Sequence, residues 1–370
     1  MEIYVHIPFC ARKCAYCDFT SFVCSEAVQR KYFDALKKQI ELKAETAGGE
    51  PVVSCFFGGG TPSLPEAELT ADILGKLKEC FSFESNAEIT IEANPNSATA
   101  EKLDILREAG FNRLSIGLQS ALDTELESLT RLHTYGEFLK TYEAARRAGF
   151  QNINIDLMSA IPGQTLKSYE KTLERVTELK PQHISAYSLI LEEGTPFYER
   201  YAGGKGLPDE DTEREMYYLT KAFLKEKGYS RYEISNYSLP GRECRHNYGY
   251  WKRTPYLGFG LAAASLYEET RYQMHTDLER YLEGDFSEER EVLSRADIIS
   301  EYMFLGLRLT EGVSRAEFKS LFGTEMEDLY GEALEKLSVE GLLVNSERVY
   351  LTDRGMDVAN YCMSEFILED

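Results

Sequence analysis

Hydrophobic positions in the first half of the chain follow two periods in turn. Short stretches with apolar residues at every second position are typical of strands, and each is followed by a longer stretch with the helical spacing of three and four. The predicted strands are residues 2–8, 51–58, 88–94, 113–119, 153–161 and 183–191. The predicted helices are residues 26–43, 67–80, 100–109, 135–148 and 166–179. Strands that alternate with helices pair in parallel through right-handed crossovers, so the pattern predicts an α/β fold.

One face of this predicted sheet is polar. In the third strand Ile89 and Ile91 alternate with Glu88, Thr90 and Glu92, and the first, fourth and fifth strands alternate similarly. Since successive side chains point to opposite faces of a strand, the apolar face packs under helices and the polar face encloses a cavity. A solvated edge strand is the alternative, but it would explain one such strand rather than four. We expect ligands at the carboxyl ends of these strands.

Three cysteines follow the first strand at the spacing C-x3-C-x2-C, namely Cys10, Cys14 and Cys17. Compact groups of thiolates suit iron–sulfur clusters or zinc. Three cysteines on a [4Fe–4S] cluster leave one iron open to another ligand. A zinc site would need a fourth ligand, such as His6 or Cys24. A disulfide framework fits poorly, because the chain is long and begins without a signal-peptide pattern.

The second predicted strand leads into the glycine-rich sequence FGGGTPS at residues 57–63. Glycines permit close approach of a ligand to the backbone, and we expect their N–H groups to be available to it. The sequence is not a phosphate-binding P-loop, because the terminal Lys-Ser/Thr is missing.

Composition narrows the class of protein. The 370 residues are 43% hydrophobic and carry a formal charge of −21, which argues against nucleic acid as the main partner. No apolar run approaches 18 residues, so we expect no integral membrane protein. Eight cysteines in such a chain are best interpreted as reduced, which predicts a cytoplasmic location.

Five motifs, taken in order, resemble one family: YVHIPFC at 4–10, FGGGTPS, IEANP at 91–95, SIGLQS at 115–120 and DLMSAIPG at 156–163. They look like the radical S-adenosylmethionine (SAM) family of oxygen-independent coproporphyrinogen III oxidases, and in particular its haem-chaperone, HemW-type branch. The resemblance implies a partial (β/α)6 radical SAM barrel over residues 1–192, a β/α extension over 193–292 and a C-terminal α+β winged-helix-like domain over 293–370.

The resemblance also implies cofactors and site residues. A [4Fe–4S] cluster would be held by Cys10, Cys14 and Cys17, and its open iron would bind SAM, which such clusters can cleave to a 5′-deoxyadenosyl radical. The residues implied to contact or support SAM are Tyr4, Tyr16, Gly59, Gly60, Thr61, Glu92, Gln119, Arg131, Asp156 and the backbone of Ile190. Arg131 is a residue that can fork onto a carboxylate; the alternative is a position on a surface helix. No catalytic residue is assigned.

A second motif, HNYGYW at residues 246–251, resembles the HNxxYW signature of the chaperone branch. Histidine can ligate haem iron and aromatic rings can cover a porphyrin, so His246 and Trp251 are the candidate haem residues. We expect this segment to line the same cavity as the cysteines. The alternative is a structural turn in which His246 caps backbone groups and Trp251 packs in a core.

The C-terminal part, from about residue 293, has the helix and hairpin pattern of a winged helix, with a turn at residues 345–346. Many winged helices bind DNA, but residues 294–370 hold seven Lys and Arg against 16 Asp and Glu. A DNA-binding module needs a basic face, so we interpret this domain as a lid or a protein-docking element.

Two functions remain. The first is a haem chaperone that binds the cluster, SAM and haem and delivers haem to haem-accepting proteins, such as membrane respiratory enzymes. The second is a radical SAM coproporphyrinogen III dehydrogenase that decarboxylates propionates to vinyls. That enzyme branch has a fourth cysteine two positions after the third and a longer N-terminal arm; here Phe19 stands at that position and nine residues precede Cys10. These features favour the chaperone. An acidic winged-helix redox sensor is a third possibility, but it leaves the polar strands unexplained.

Overall fold

The computed structural model describes residues 1–45, 47 and 49–368, and these form 15 strands and 15 helices. The strands are β1 Glu2–Ile7, β2 Val52–Gly59, β3 Phe83–Ala93, β4 Arg113–Gln119, β5 Asn152–Ser159, β6 His183–Ser188, β7 Ser230–Arg231, β8 Asn236–Ser238, β9 Tyr256–Phe259, β10 Ala264–Tyr267, β11 Thr270–Met274, β12 Glu288–Val292, β13 Val313–Ser314, β14 Leu343–Asn345 and β15 Arg348–Leu351.

The helices pack on one side of the sheet and continue into the C-terminal part. They are α1 Glu26–Ala44, α2 Ala67–Cys80, α3 Ala100–Ala109, α4 Asp123–Ser128, α5 Tyr135–Arg147, α6 Leu166–Glu178, α7 Pro196–Tyr201, α8 Glu210–Glu226, α9 Arg245–Trp251, α10 Leu278–Leu282, α11 Arg295–Gly306, α12 Arg315–Phe322, α13 Met326–Val339, α14 Asp353–Asp357 and α15 Ala359–Ser364.

Strands β1 to β6 lie side by side in chain order and all pair in parallel. The predicted α/β fold with a (β/α)6 barrel portion is therefore confirmed, and the six predicted strands agree with the observed ones within a few residues except for β3, which begins at Phe83. Residues 193–292 extend the same sheet at both edges, β8 and β7 beyond β6 and β9 to β12 beyond β1. Strands β7 and β8 are short because the chain turns back on itself between them.

The apolar face of the six parallel strands packs against the helices, as the alternation predicts. Ile3, Val5 and Ile7 of β1 are fully buried in one large core, and Leu114 and Ile116 of β4 belong to the same core. At about 25 cal/mol per Å² of apolar surface removed from water, this face is the main source of the barrel's stability. The opposite face of the same strands is left to polar residues.

The C-terminal part forms a separate small core around α11, α13 and the three-stranded antiparallel sheet β13-β15-β14. This arrangement confirms the predicted α+β winged-helix-like fold. The boundaries at residues 192 and 292 stay predictions, and the last two residues of the third predicted domain lie outside the described part. Within residues 1–45, 47 and 49–368, no helix is both long and apolar enough to cross a membrane.

Candidate functional site

A cavity with an empty volume of about 730 Å³ opens at the carboxyl ends of β1 to β6. It collects residues from loops and strands far apart in sequence. Eleven of its lining residues are ones that the sequence singles out: Cys10, Cys14, Tyr16, Cys17, Gly59, Gly60, Thr61, Glu92, Gln119, Arg131 and Asp156. The remaining lining residues are Arg12, Phe19, Ala93, Asn94, Ser115, Gly117 and Tyr187.

The loop that carries the cysteines is fastened at both ends. The Cys10 N–H donates to Phe22 O at 2.9 Å, which closes the base of the loop. Ala15 N–H donates to Thr130 Oγ1 at 3.1 Å, and Phe197 N–H donates to Ala15 O at 3.0 Å. The loop is thus held against segments that follow β4 and β6, so the thiols face the cavity.

The three thiols fit a cluster better than a single metal ion. All three line one cavity and all are partly exposed to it. Over the described ranges, no three His, Cys, Asp or Glu side chains stand close enough together to hold one ion, as a zinc site with Zn–S bonds of about 2.3 Å would require. Burial raises the pKa of the Cys17 thiol, and coordination to iron would favour its thiolate form.

The glycine turn is shaped by packing against the cysteine strand. A Cβ atom on Gly59, where φ is +110°, would lie 2.6 Å from His6 Cε1, and one on Gly60 would lie 2.8 Å from Phe9 N. The Gly60 N–H donates to Ile7 O at 2.9 Å. The expectation that these amides are available to a ligand is therefore wrong for Gly60, whose N–H is used to join the two loops.

Two carboxyl groups, Glu92 on β3 and Asp156 on β5, face this cavity from either side of β4. Burial, followed by the charge of the nearby Asp156, raises the pKa of Glu92 to about 8, although the Gly59 N–H donates a hydrogen bond to it. Burial also raises the pKa of Asp156, although Asn154 and Ser115 donate hydrogen bonds to it at 2.7 and 3.3 Å. Ionising both groups side by side is unfavourable, and a bound cationic group, such as an ammonium or a sulfonium, would stabilise their ionised forms.

Arg131 joins the cysteine loop to the sheet. Its Nη2 donates to Asn94 Oδ1 at 2.5 Å and to Gly117 O at 2.7 Å, and its Nη1 lies 3.4 Å from Tyr16 OH and 3.7 Å from Cys14 Sγ. The residue is not on a surface helix, so that alternative is wrong. Its guanidinium group donates its hydrogen bonds to acceptors of the protein beside the cavity.

Sequence reasoning missed Tyr187, which lines the cavity and donates its hydroxyl to Gln119 Oε1 at 3.0 Å. The alternation of β6 places Tyr187 on the same face as Ser185, a signal that could have identified it. Two residues implied to support SAM do not line the cavity. Tyr4 lies beneath it, near Glu92, with its hydroxyl 3.1 Å from His6 Nδ1, and Ile190 is 69% exposed in the loop after β6.

The HNYGYW segment forms α9 and lies at the opposite end of the barrel. Its His246 is only 1% exposed and stacks on Phe56 at 5.2 Å between ring centroids. Ser54 and Glu2, its polar neighbours, stand at the amino ends of β2 and β1. The expectation that this segment lines the cysteine cavity is therefore wrong, because α9 covers the amino ends of strands whose carboxyl ends form that cavity.

The polar contacts of His246 define its protonation. Ser54 Oγ donates to Glu2 Oε1 at 3.0 Å and lies 2.9 Å from His246 Nδ1, so Nδ1 carries the hydrogen and donates to Ser54. Burial, and then the charge of Arg113, lower the pKa of His246 to about 3, which keeps the ring neutral. Its Nε2 is buried and has no hydrogen-bond partner among the described residues. The ring thus presents an unprotonated nitrogen, the form that ligates metals.

Comparison with known proteins gives one consistent result. Residues 4–176 match the radical SAM superfamily and residues 293–358 match the HemN C-terminal domain. The chain is 36% identical to the heme chaperone HemW of Lactococcus lactis, with 99% of this chain and 97% of that protein covered. It is 36% identical to the heme chaperone HemW of Bacillus subtilis, with 99% of each covered.

The solved structure of the coproporphyrinogen III oxidase HemN from Escherichia coli, described as a radical SAM enzyme, matches with a TM-score of 0.89 and 26% identity. That match covers 99% of this chain and 89% of the other. Radical SAM membership implies a [4Fe–4S] cluster and SAM, and the cysteine cavity has the thiols and the carboxylates for both. The chain therefore belongs to the radical SAM superfamily and, within it, to the family of the heme chaperone HemW.

Proposed function

We propose that this protein is a haem chaperone, which binds a [4Fe–4S] cluster, SAM and haem in the cytoplasm and delivers haem to haem-accepting proteins such as membrane respiratory enzymes. The observation that carries the proposal is the near full-length similarity to proteins named heme chaperone HemW in two bacteria. The absence of a membrane-spanning helix from the described residues is consistent with a carrier that visits membrane acceptors.

The cluster and SAM would occupy the cavity at the carboxyl ends of the strands. Cys10, Cys14 and Cys17 would hold the cluster, which supplies an electron to SAM when bound. Glu92 would pair with the amine of the SAM methionyl group, since its carboxyl group lines the cavity and, among the described residues, accepts only the backbone hydrogen bond of Gly59. Asp156 would accept from the ribose hydroxyls.

The other residues implied to contact SAM fall into two groups: those that would touch SAM and those that would hold these residues in place. Gly59, Gly60 and Thr61 would form the wall beside the methionyl group, and Tyr16 and the backbone of Ile190 would flank the adenine. Tyr4, Gln119 and Arg131 would support these walls, because their polar groups are bonded to the protein.

Haem would bind at the opposite end of the barrel, through His246 Nε2. A groove with an empty volume of about 1500 Å³ lies between α9 and the C-terminal domain, and Arg245 and Lys252 in its wall could pair with haem propionates. Because His246 is 1% exposed, α9 must shift for iron to reach it. Trp251, which stacks under the Arg308 guanidinium at 4.1 Å, would be released by the same shift.

The second candidate is coproporphyrinogen III dehydrogenase, favoured by the high structural similarity to HemN. Phe19 lines the cavity at the position where the enzyme branch is expected to have its fourth cysteine. This residue is 67% exposed and cannot ligate iron, so the chaperone is the better supported function.

One anaerobic reaction separates the two. The reconstituted protein is mixed with SAM, a strong reductant and coproporphyrinogen III, and the products are resolved by liquid chromatography. Unchanged tetrapyrrole is expected of the chaperone. Protoporphyrinogen formed together with 5′-deoxyadenosine would establish the enzyme and overturn the proposal.

Haem binding tests the chaperone directly. We expect stoichiometric haem binding to the wild-type chain, at least about tenfold weaker binding to His246→Ala, and a smaller loss for Trp251→Ala. His275→Ala is the matched control, since that histidine is partly buried and hydrogen-bonded to Asp285 O away from α9. Equal affinities in all four proteins would exclude α9 as the haem site.

A further inference from the structure

A continuous row of hydrogen bonds joins the residue before α9 to the carboxylate of the SAM cavity. The bonds are Cys244 N to Tyr232 OH at 3.3 Å, Tyr232 OH to His183 Nε2 at 2.9 Å, His183 Nδ1 to Asn154 Oδ1 at 2.6 Å, and Asn154 Nδ2 to Asp156 Oδ1 at 2.7 Å. The row therefore runs through the barrel from its amino end to its carboxyl end.

The chemistry of the end groups assigns every hydrogen in the row. An ionised Asp156 can only accept, so the amide of Asn154 turns its nitrogen toward Asp156 and its oxygen toward His183. That oxygen needs a hydrogen from His183 Nδ1, which leaves Nε2 as the acceptor of the Tyr232 hydroxyl. The tyrosine oxygen then accepts the Cys244 N–H, the one bond whose donor is fixed by the backbone. One arrangement satisfies all four bonds.

The middle of the row is shielded from water. His183 is 0%, Asn154 2% and Tyr232 7% exposed. Asn154 Nδ2 also donates to Ser115 Oγ at 2.8 Å, and the Ser115 hydroxyl donates to the second oxygen of Asp156 at 3.3 Å. Both oxygens of the Asp156 carboxylate therefore accept hydrogen bonds from the protein. If one of these buried donors moves, water cannot replace it, and the carboxylate is left without that hydrogen bond.

We infer that Tyr232, His183 and Asn154 are positioning residues for SAM, which hold Asp156 in its binding orientation and couple it to α9. The inference rests on the proposed function, in which Asp156 binds SAM and α9 binds haem. It adds a regulation to that function. Haem that reaches His246 displaces α9, withdraws the Cys244 amide from Tyr232 and loosens the orientation of Asp156.

Linkage makes this effect reciprocal. If haem lowers the affinity for SAM, SAM lowers the affinity for haem by the same factor, and we expect about fivefold. SAM would thus promote haem release although the two ligands occupy opposite ends of the barrel.

The first test is Tyr232→Phe in the full-length, cluster-reconstituted protein, with SAM affinity measured by isothermal titration calorimetry. The substitution removes one buried hydroxyl, and we expect SAM to bind about 5- to 10-fold more weakly. Tyr229→Phe is the control, because Tyr229 is 4% exposed and its hydroxyl donates to Pro181 O at 2.7 Å, outside the row. Iron and sulfide contents and melting temperatures are compared in both variants. Equal SAM affinities in the two variants would overturn the positioning role, because a merely structural loss would affect both alike.

The second test repeats the SAM titration with and without one equivalent of haem. We expect haem to weaken SAM binding about fivefold in the wild-type protein and in Tyr229→Phe, and to have no effect in Tyr232→Phe. The same haem effect in all three proteins, or none in the wild type, would overturn the coupling. A wild-type protein that takes up no haem would instead contradict the chaperone function, and the first test would still decide the positioning role.

Discussion

The two ends of the barrel are made by the same strands, and the two glutamates that β3 contributes to them have different charged neighbours. In β3, Glu88 and Glu92 lie on one face, four residues and about 13 Å apart. Glu88 Oε1 accepts from Arg245 N at 2.9 Å and the carboxylate lies 3.9 Å from Arg113 Nε. Glu92 accepts a backbone hydrogen bond from Gly59 but no side-chain hydrogen bond within the described residues, and burial, followed by the charge of Asp156, raises its pKa to about 8.

The difference separates structural from ligand-binding carboxylates. At the α9 end Glu88 has a cationic neighbour, Arg113, so its charge contributes to folding. At the cysteine end the main charged neighbour of Glu92 is a second carboxyl group, Asp156, so the ionised form of Glu92 costs stability until a cationic ligand binds. The following four changes test this contrast.

The largest expected effect is the loss of the cluster in Cys14→Ala. Two thiols do not retain a [4Fe–4S] cluster, so we expect iron and sulfide to fall to trace amounts and SAM binding to be lost, with the barrel still folded. Chemical analysis of iron and sulfide after anaerobic reconstitution measures this. Cys24→Ala, whose thiol does not line the cavity, should retain both. Zinc bound by the wild-type protein in place of iron would refute the cluster.

The second change compares Glu88→Gln with Glu92→Gln. Loss of the Glu88 charge leaves Arg113 without its buried counter-ion, so we expect the free energy of unfolding to fall by about 2–3 kcal/mol. Loss of the Glu92 charge should raise it by about 1–2 kcal/mol at pH 8 in the SAM-free protein, while SAM affinity falls at least about tenfold.

The Glu92 effect has a definite pH dependence. Its pKa is raised above the unfolded value, so the folded state holds the proton longer, and wild-type stability falls as pH rises from about 4.5 to about 8. The advantage of Glu92→Gln should therefore appear across that range and be absent at lower pH. Urea unfolding at several pH values measures the free energy of unfolding of Glu88→Gln and Glu92→Gln. Equal destabilisation in the two variants would show that the two glutamates do not differ in their contribution to stability.

The third change is His246→Asn, measured by acid unfolding. The pKa of His246 is lowered to about 3, so its contribution to stability is fully present above the unfolded pKa and is lost as pH falls from about 6.5 toward 3. Asparagine keeps a polar group near Ser54 but does not titrate. We expect a shallower loss of stability below pH 6.5, and an unchanged slope would mean that His246 is already charged in the folded protein.

The smallest expected effect is that of Arg308→Gln, which removes the cation above Trp251 but leaves the contacts of Glu311 with Tyr248 and Lys252. A partly buried cation–π pair contributes about 1 kcal/mol. Trp251 is the chain's single tryptophan, so its fluorescence reports this contact directly. We expect a shift in its emission and faster haem uptake. An unchanged emission spectrum would mean that the C-terminal domain does not act on the haem segment through Arg308.

Much of the fold followed from local pattern. The two periods of hydrophobicity located α2, α3 and β4 to the residue, because each element buries one face and its side chains repeat with the element's own period. The eleven cavity residues were identified from the cysteine spacing and from the family resemblance, and they meet because parallel strands bring all their carboxyl ends to one edge. The edge strands β7 to β12 were harder to predict from the sequence, because short strands contain too few residues to show a period of hydrophobicity.

The sequence by itself determined which face of each strand is polar and which loop carries the thiols. Only the tertiary structure decided which polar residues are paired. Glu88 and Glu92 are equivalent in the alternation of β3, and they differ because folding brings Arg113 within 3.9 Å of Glu88 and Asp156 close to Glu92. The same folding placed His246 over the amino ends of the strands, opposite the cysteines. The alternation of polar and apolar residues is a property of one strand. The partner of a buried charge comes from a distant part of the chain, and only folding brings the two together.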